Sequence, residues 1–178
     1  ASEFGITAAE AAKVLPRMKP ATMRGEILRF EDGLTVINDC YNSSPSAMSS
    51  MMDLLDATPA TGQRILAAGE MLELGPASAE LHREVGRDAS RRRLDWIVGV
   101  QGEAAEMVNA AIRAGYSEAQ TRFFANSSTA AEFVASLAAA GDLVLVKGSR
   151  GVRMERIVEA IRERHTPAVA GAARRERS

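Results

Sequence analysis

Asp142-Leu-Val-Leu-Val-Lys-Gly-Ser-Arg-Gly-Val-Arg-Met-Glu155 decides the fold. It opens with an apolar run that has no polar residue on either alternating face, the pattern of a strand buried on both sides in a parallel sheet. Lys-Gly-Ser-Arg then makes a turn, and a helical pattern covers residues 152–165. Outward from this strand the alternation recurs. Short apolar runs at residues 64–68, 95–100 and 121–125 lead into helical patterns at 76–91, 103–114 and 128–139. Such alternation predicts parallel β-α-β units with helices on both faces of the sheet. Upstream, residues 26–30 and 34–39 are two strand-like arms around Glu31-Asp32-Gly33, a hairpin signal. Residues 45–57 follow as a helix with Pro45 in its first turn. The predicted fold is a single α/β domain with a doubly wound, mainly parallel, Rossmann-like sheet and an N-terminal β-hairpin.

Composition limits the function classes. The chain has 178 residues, 46% apolar and 4% aromatic, so one aliphatic core is expected. With 22 Lys and Arg against 23 Asp and Glu, the net charge of -1 argues against a broad nucleic-acid surface or a membrane-binding face. No apolar run approaches the ~20 residues that span a bilayer. No charged-then-apolar leader precedes a small-residue cleavage site, so the expected location is cytoplasmic. The single cysteine, Cys40, cannot make an internal disulfide and fits a reducing compartment. Lysine occurs only at Lys13, Lys19 and Lys147, which makes a lysine inside a glycine-opened turn conspicuous. Near the start, Thr7 and Glu10 form a capping box for a helix over residues 7–18, which Pro16 ends or bends. Ala1-Ser2-Glu3-Phe4 reads either as an artificial leader or as the end of a preceding helix. The small, charged residues after 165 read as a frayed tail.

In doubly wound sheets ligands bind beyond the carboxyl ends of the strands, so the loops to search are 39–45, 69–75, 100–102, 125–128 and 147–152. Asp39-Cys-Tyr-Asn-Ser-Ser-Pro45 is either a turn with a helix cap or a contact surface. In the second reading Asp39 accepts from sugar hydroxyls or water, Tyr41 offers a flat face to a base, and Asn42 supplies a two-way amide. Gly69-Glu-Met-Leu-Glu-Leu-Gly75 brackets two carboxylates, Glu70 and Glu73, without the paired spacing of a metal site; it is a solvated loop or a set of loop contacts. His82, on the helix that follows, suits a structural role better than a catalytic one, and His165 at the chain's frayed end suggests no role. Lys147-Gly-Ser-Arg150 is either an ordinary turn, in which Lys147 could cap a neighbouring carboxylate of the fold, or an anion site built from two cations, Ser149, backbone N–H groups and a helix N-terminus. Its order is Lys-Gly-Ser rather than Gly-Lys-Ser, so it is no Walker A loop. No Gly-x-Gly-x-x-Gly after a strand, no His-Glu-x-x-His and no cysteine cluster occurs. The chain alone therefore carries no assigned catalytic residue and no metal site.

Taken together and in this order, the three loops resemble the C-terminal domain of the Mur ligases. The family's Asp-x-Tyr-Asn-Ala-Asn-Pro-x-Ser-Met segment corresponds to Asp39-Cys-Tyr-Asn-Ser-Ser-Pro-Ser-Ala-Met48. Its Gly-Asp-Met-x-Glu-Leu-Gly corresponds to Gly69-Glu-Met-Leu-Glu-Leu-Gly75. Its Leu-x-Lys-Gly-Ser-Arg, followed by Met-Glu, corresponds to Leu145-Val-Lys-Gly-Ser-Arg-Gly-Val-Arg-Met-Glu155. Departures are Glu70 for the usual Asp, Ser44 for the second Asn, and Met23-Arg24-Gly25 where a Gly-Arg hinge is usual, which leaves Arg24 as the hinge arginine.

The resemblance, over residues 7–165, is greatest to members that add D-Ala-D-Ala to UDP-MurNAc-tripeptide in peptidoglycan precursor synthesis. It implies an ATP- and Mg2+-dependent peptide ligase of three domains. A domain for the UDP-sugar and a central P-loop domain would lie outside this chain. Residues 1–20 would be the tail of the central domain or a linker, 21–166 the C-terminal domain and 167–178 a flexible tail. The full enzyme would phosphorylate the tripeptide carboxylate, and the amine of D-Ala-D-Ala would attack the acyl phosphate. This domain would close over the nucleotide through Arg24, Asp39, Tyr41 and Asn42 and hold the dipeptide through Lys147, Ser149 and Arg150. Alone it would be an inactive monomer that holds no cofactor tightly. The competing readings are a non-catalytic nucleotide- or anion-binding module, a receiver-like regulatory domain and a purely structural oligomerisation domain. For the receiver, Lys147 fits but the spacing of Glu70 and Glu73 does not.

Overall fold

β1 (Glu26–Arg29), β2 (Thr35–Asp39), β3 (Arg64–Gly69), β4 (Trp96–Val100), β5 (Thr121–Phe124) and β6 (Leu143–Lys147) form one sheet in the order β1-β2-β6-β3-β4-β5. The computed structural model describes residues 23–168, so the expected helix at 7–18 and the two chain ends lie outside the described residues. β1 and β2 pair antiparallel as the expected hairpin, and every other pairing is parallel.

The helices are α1 (Pro45–Ala57), α2 (Ser78–Ala89), α3 (Ala104–Arg113), α4 (Ser127–Leu137) and α5 (Glu155–Arg164). Side-chain alternation on the strands divides the core in two. Val36, Ile65, Ala67, Val98, Val144 and Val146 pack on one side with Ala130 and Val134 of α4 and Ile157 and Ile161 of α5. Ile37, Leu66, Ala68, Ile97, Leu143 and Leu145 pack on the other with Met48 and Met52 of α1, Val85 of α2 and Met107 of α3. Strands buried on both faces need continuous apolar runs, which is why β3 and β6 were legible as strands.

The strand order positions the site. β6 lies between β2 and β3. The chain leaves β2 and β3 for helices on one face but leaves β6 for α5 on the other. The loops therefore diverge on each side of the end of β6, opening the crevice in which doubly wound sheets bind ligands.

Two local expectations change. The helix expected from residue 152 starts at Glu155, because Arg150–Val152 is a single 3-10 turn and Arg153 turns left-handed at φ 59°. The Lys147 turn thus does not run directly into an α-helical N-terminus. Residues 166–168 are also not frayed: Thr166 O accepts from Glu31 N at 3.0 Å, Ala168 N donates to Arg29 O at 2.8 Å, and Pro167 bridges to Phe30. The segment covers part of the free edge of β1.

Candidate functional site

Asp39 and Lys147 end neighbouring strands as register partners. In parallel strands register partners share a face, so their side chains meet. Lys147 Nζ donates to Asp39 Oδ2 at 2.5 Å and to the Asn42 carbonyl oxygen at 2.8 Å. The lysine side chain is 2% exposed, so its charge is neutralised inside the fold instead of being offered to solvent. Burial on this scale is tolerable only because the ion pair and the extra hydrogen bond offset the desolvation. Asp39 Oδ1 accepts from Gly25 N at 3.0 Å, and Tyr41 N donates to Met23 O at 3.1 Å, so the segment entering β1 is tied to the end of β2.

Beside this pair lies a cleft of about 400 Å³, lined by Arg24, Asp39, Tyr41, Asn42, Met51 and Lys147 among others. The Arg24 guanidinium sits over the Tyr41 ring, 3.9 Å from its centroid, a cation–π contact. Tyr41 is nonetheless 45% exposed. Asn42 Oδ1 accepts from Ser43 N at 2.8 Å. Ser44 caps α1 by accepting from Ala47 N. The loop is thus a helix cap that leaves Tyr41 and Asn42 exposed beside the cleft.

On the other side of β6 the turn is divided in use. Ser149 is buried: its N–H donates to Glu70 O at 3.2 Å, and its hydroxyl accepts from Leu72 N at 2.9 Å. Arg150 is the turn's open cation, with a side chain 59% exposed, Nη1 3.0 Å from Met23 Sδ and 3.8 Å from Glu155 Oε1. Glu155 Oε2 is buried without a hydrogen-bond partner among the described residues. The expectation that Lys147, Ser149 and Arg150 act as one anion cradle thus meets a different geometry. Two of the three are committed within the fold, and Arg150 alone faces out.

Glu70 also points inward. Its carboxylate accepts from Glu103 N at 3.1 Å and from Gln101 Nε2 at 3.3 Å, closing the turn into α3. Gly102 makes room for it: a Cβ there would lie 2.1 Å from Glu70 Oε1. Glu73 is exposed in a left-handed conformation, φ 64°. His82 is buried and structural: Nδ1 meets Ser78 O at 2.8 Å while Nε2 accepts from Met71 N at 2.9 Å, which fixes the proton on Nδ1 and pins the 69–75 loop to α2. Two arrangements were missed from sequence. One is the partner of Lys147: a lysine capping a neighbouring carboxylate was an open reading, but nothing in the sequence named Asp39 as that carboxylate. The other is His165, which meets Asp32 Oδ2 at 2.7 Å and packs edge-on to Phe30.

Comparison with known proteins gives a consistent pattern. The family model "Mur ligase, glutamate ligase domain" matches residues 23–150. The chain is 32% identical over 160 residues to the UDP-N-acetylmuramoyl-tripeptide--D-alanyl-D-alanine ligase of Bacillus subtilis, covering 90% of this chain and 35% of that protein. To the Escherichia coli ligase of the same name it is 28% identical, covering 78% of this chain and 29% of that one. Among solved structures, MurF ligase from Thermotoga maritima in complex with ADP superposes with a TM-score of 0.67 at 28% identity, covering 82% of this chain and 32% of that one. A MurF structure from Acinetobacter baumannii superposes at 0.77 with 24% identity, over 90% of this chain and 35% of that one, a likeness of fold. The chain spans about a third of the length of these relatives.

Proposed function

We propose a function from one premise: this chain belongs to the Mur ligase family, as the family's C-terminal domain. It serves a cytoplasmic ligase that joins D-Ala-D-Ala to UDP-MurNAc-tripeptide, and its part is to close over the nucleotide and present the dipeptide. The observation that carries this reading is the cleft beside β6, where Arg24, Asp39, Tyr41 and Asn42 converge at the point where the loops diverge. A cleft with a half-exposed aromatic face, a carboxylate and an amide fits a nucleoside. The exposed part of the Tyr41 ring, with Arg24 stacked on it, would face the base, Asn42 would offer its amide donors, and Asp39 has acceptor capacity left beyond its two present partners. ATP, when bound, supplies the phosphoryl group that activates the tripeptide carboxylate. Among the described residues no cluster of three or more His, Cys, Asp or Glu side chains is built for a metal, so no Mg2+ ligand is assigned to this chain.

The dipeptide carboxylate falls to Arg150, the exposed cation of the turn after β6. Arg150 offers an exposed, planar guanidinium suited to a bidentate carboxylate contact. Residues 1–20 are read as the tail of the ATP-binding domain and 167–178 as a trailing segment. The nucleotide side of the cleft is completed by that neighbouring domain, and the whole enzyme works as a monomer. Domain closure keeps water from the activated carboxylate.

The test uses the full-length ligase. Asp39→Ala raises the Michaelis constant for ATP or lowers turnover; if both stay at wild-type values, Asp39 leaves the site. Arg150→Ala weakens dipeptide use by roughly 10- to 150-fold, the worth of one charge-assisted hydrogen bond, with the constant for ATP spared and the melting temperature near wild type.

A further inference from the structure

We propose that Lys147 is a positioning residue for the nucleotide side of the site, acting through Asp39 without touching substrate. The inference rests on Asp39 being a nucleotide contact, as argued above. Lys147 is fully buried, and two of its three N–H donors are spent on Asp39 Oδ2 and Asn42 O. An incoming carboxylate would have to displace Asp39 from an ammonium that is 2% exposed. What Lys147 does control is the cleft wall. Its stem crosses from β6 to the neighbouring strand, fixes the Asp39 rotamer and holds the first peptide groups of the 40–44 loop. Through Asp39 Oδ1 the same pair holds Gly25 N, and so the backbone beside Arg24. One ammonium thus sets three of the four nucleotide-facing residues: Asp39 and Asn42 directly, and Arg24 through Gly25. The charge must be a lysine's, because a carboxylate and a carbonyl in different directions suit a compact ammonium better than a planar fork.

The experiment is a double-mutant cycle in the full-length ligase with Lys147→Met, Asp39→Asn and both together. Lys147→Met is expected to raise the Michaelis constant for ATP about 10-fold or more, to leave that for D-Ala-D-Ala within about twofold, and to have a smaller effect in the Asp39→Asn background than alone, the remainder being the Asn42 contact. In this chain the Lys147 ammonium should give a slowly exchanging 15N resonance that Asp39→Asn abolishes, a signature that a general loss of stability would not produce. Should Lys147→Met not fold, Lys147→Gln, which keeps a donor without the charge, takes its place in the cycle. A raised dipeptide constant with ATP unaffected overturns the proposal, as do effects that add independently. An impaired Asp39→Asn beside an unimpaired Lys147→Met overturns the role of Lys147 alone. An unimpaired Asp39→Asn overturns the nucleotide reading itself and the positioning role with it.

Discussion

Gly148 shows how tightly the end of β6 is built. Its φ lies outside the left-handed region, so what the position demands is room. A Cβ would sit 2.7 Å from Met154 Cγ and 3.1 Å from Gly69 Cα, and Met154, which is fully buried, has nowhere to move. Gly148→Ala should therefore cost about 1–3 kcal/mol by overpacking, read as a lower urea midpoint with an unchanged slope; a midpoint equal to wild type would show that Met154 yields. Asp32 gives a second prediction on this scale. The hydrogen bond from His165 holds its carboxyl below the ordinary value of 3.8. A depressed carboxyl contributes stability that is present above about pH 3.8 and is lost as pH falls through the lower folded-state value. His165→Ala should thus destabilise the chain at neutral pH by about 0.2–1 kcal/mol, the scale of an exposed pair. The two proteins should converge in urea melts below pH 3, and a gap that persisted there would assign the loss to the Phe30 packing instead.

At the scale of elements, α1 and α2 are held together by charge as well as by their apolar faces. Arg92, in the turn after α2, donates to both carboxylate oxygens of Asp88, at 3.1 and 3.0 Å, and to Ser49 at 3.2 Å, and it also pairs with Asp53 and, at 3.6 Å, Asp56. Hydrogen bonds to Asp88 and Asp53 raise its basicity further. Arg92→Met leaves three carboxylates facing one another across the helix contact. The loss should lie near the low end of roughly 1.5–3 kcal/mol for charge-assisted bonds, since Asp53 is largely in water. Urea melts at low and high salt test it: the gap between wild type and variant should narrow with salt, and a gap indifferent to salt would mean that only packing was lost. These elements were legible beforehand because apolar runs and caps are local signals. Pro45 and the Ser/Thr cluster at 127–129 marked the starts of α1 and α4 to within a residue. The start of α5 was not legible: Arg153 takes a left-handed conformation that nothing in its own sequence demands. The roles of Lys147 and His165 were hidden for a related reason, as their partners lie more than a hundred residues away in the chain, and only the strand order brings them together.

At the scale of the molecule, the proposed function makes the cleft beside β6 one wall of a site. Tyr41, Asn42 and Arg150 are exposed at the carboxyl edge of the sheet, and no Gly-x-x-x-x-Gly-Lys-Ser/Thr sequence occurs in the 178 residues to wrap a triphosphate. A nucleotide that meets only this wall gains the base and sugar contacts and leaves its phosphates in water, where their hydration competes with any protein donor. ADP should therefore bind the chain with a dissociation constant of millimolar order, about -4 kcal/mol. Its amide shift changes should centre on Arg24, Tyr41 and Asn42 and leave the groove lined by Arg83, Arg87 and Arg113 unmoved. That second groove is a fair control. Its three arginines outnumber the two carboxylates, Glu80 and Glu106, that pair with them, so a purely electrostatic response to phosphate would light both sites or the wrong one. ATP should behave like ADP, with no phosphate released above buffer, because nothing among the described residues is placed to stabilise charge on a transferring phosphoryl group. Shifts centred on the arginine groove would overturn the placement of the nucleotide. Phosphate release abolished by a substitution in this chain would show that the domain carries chemistry of its own.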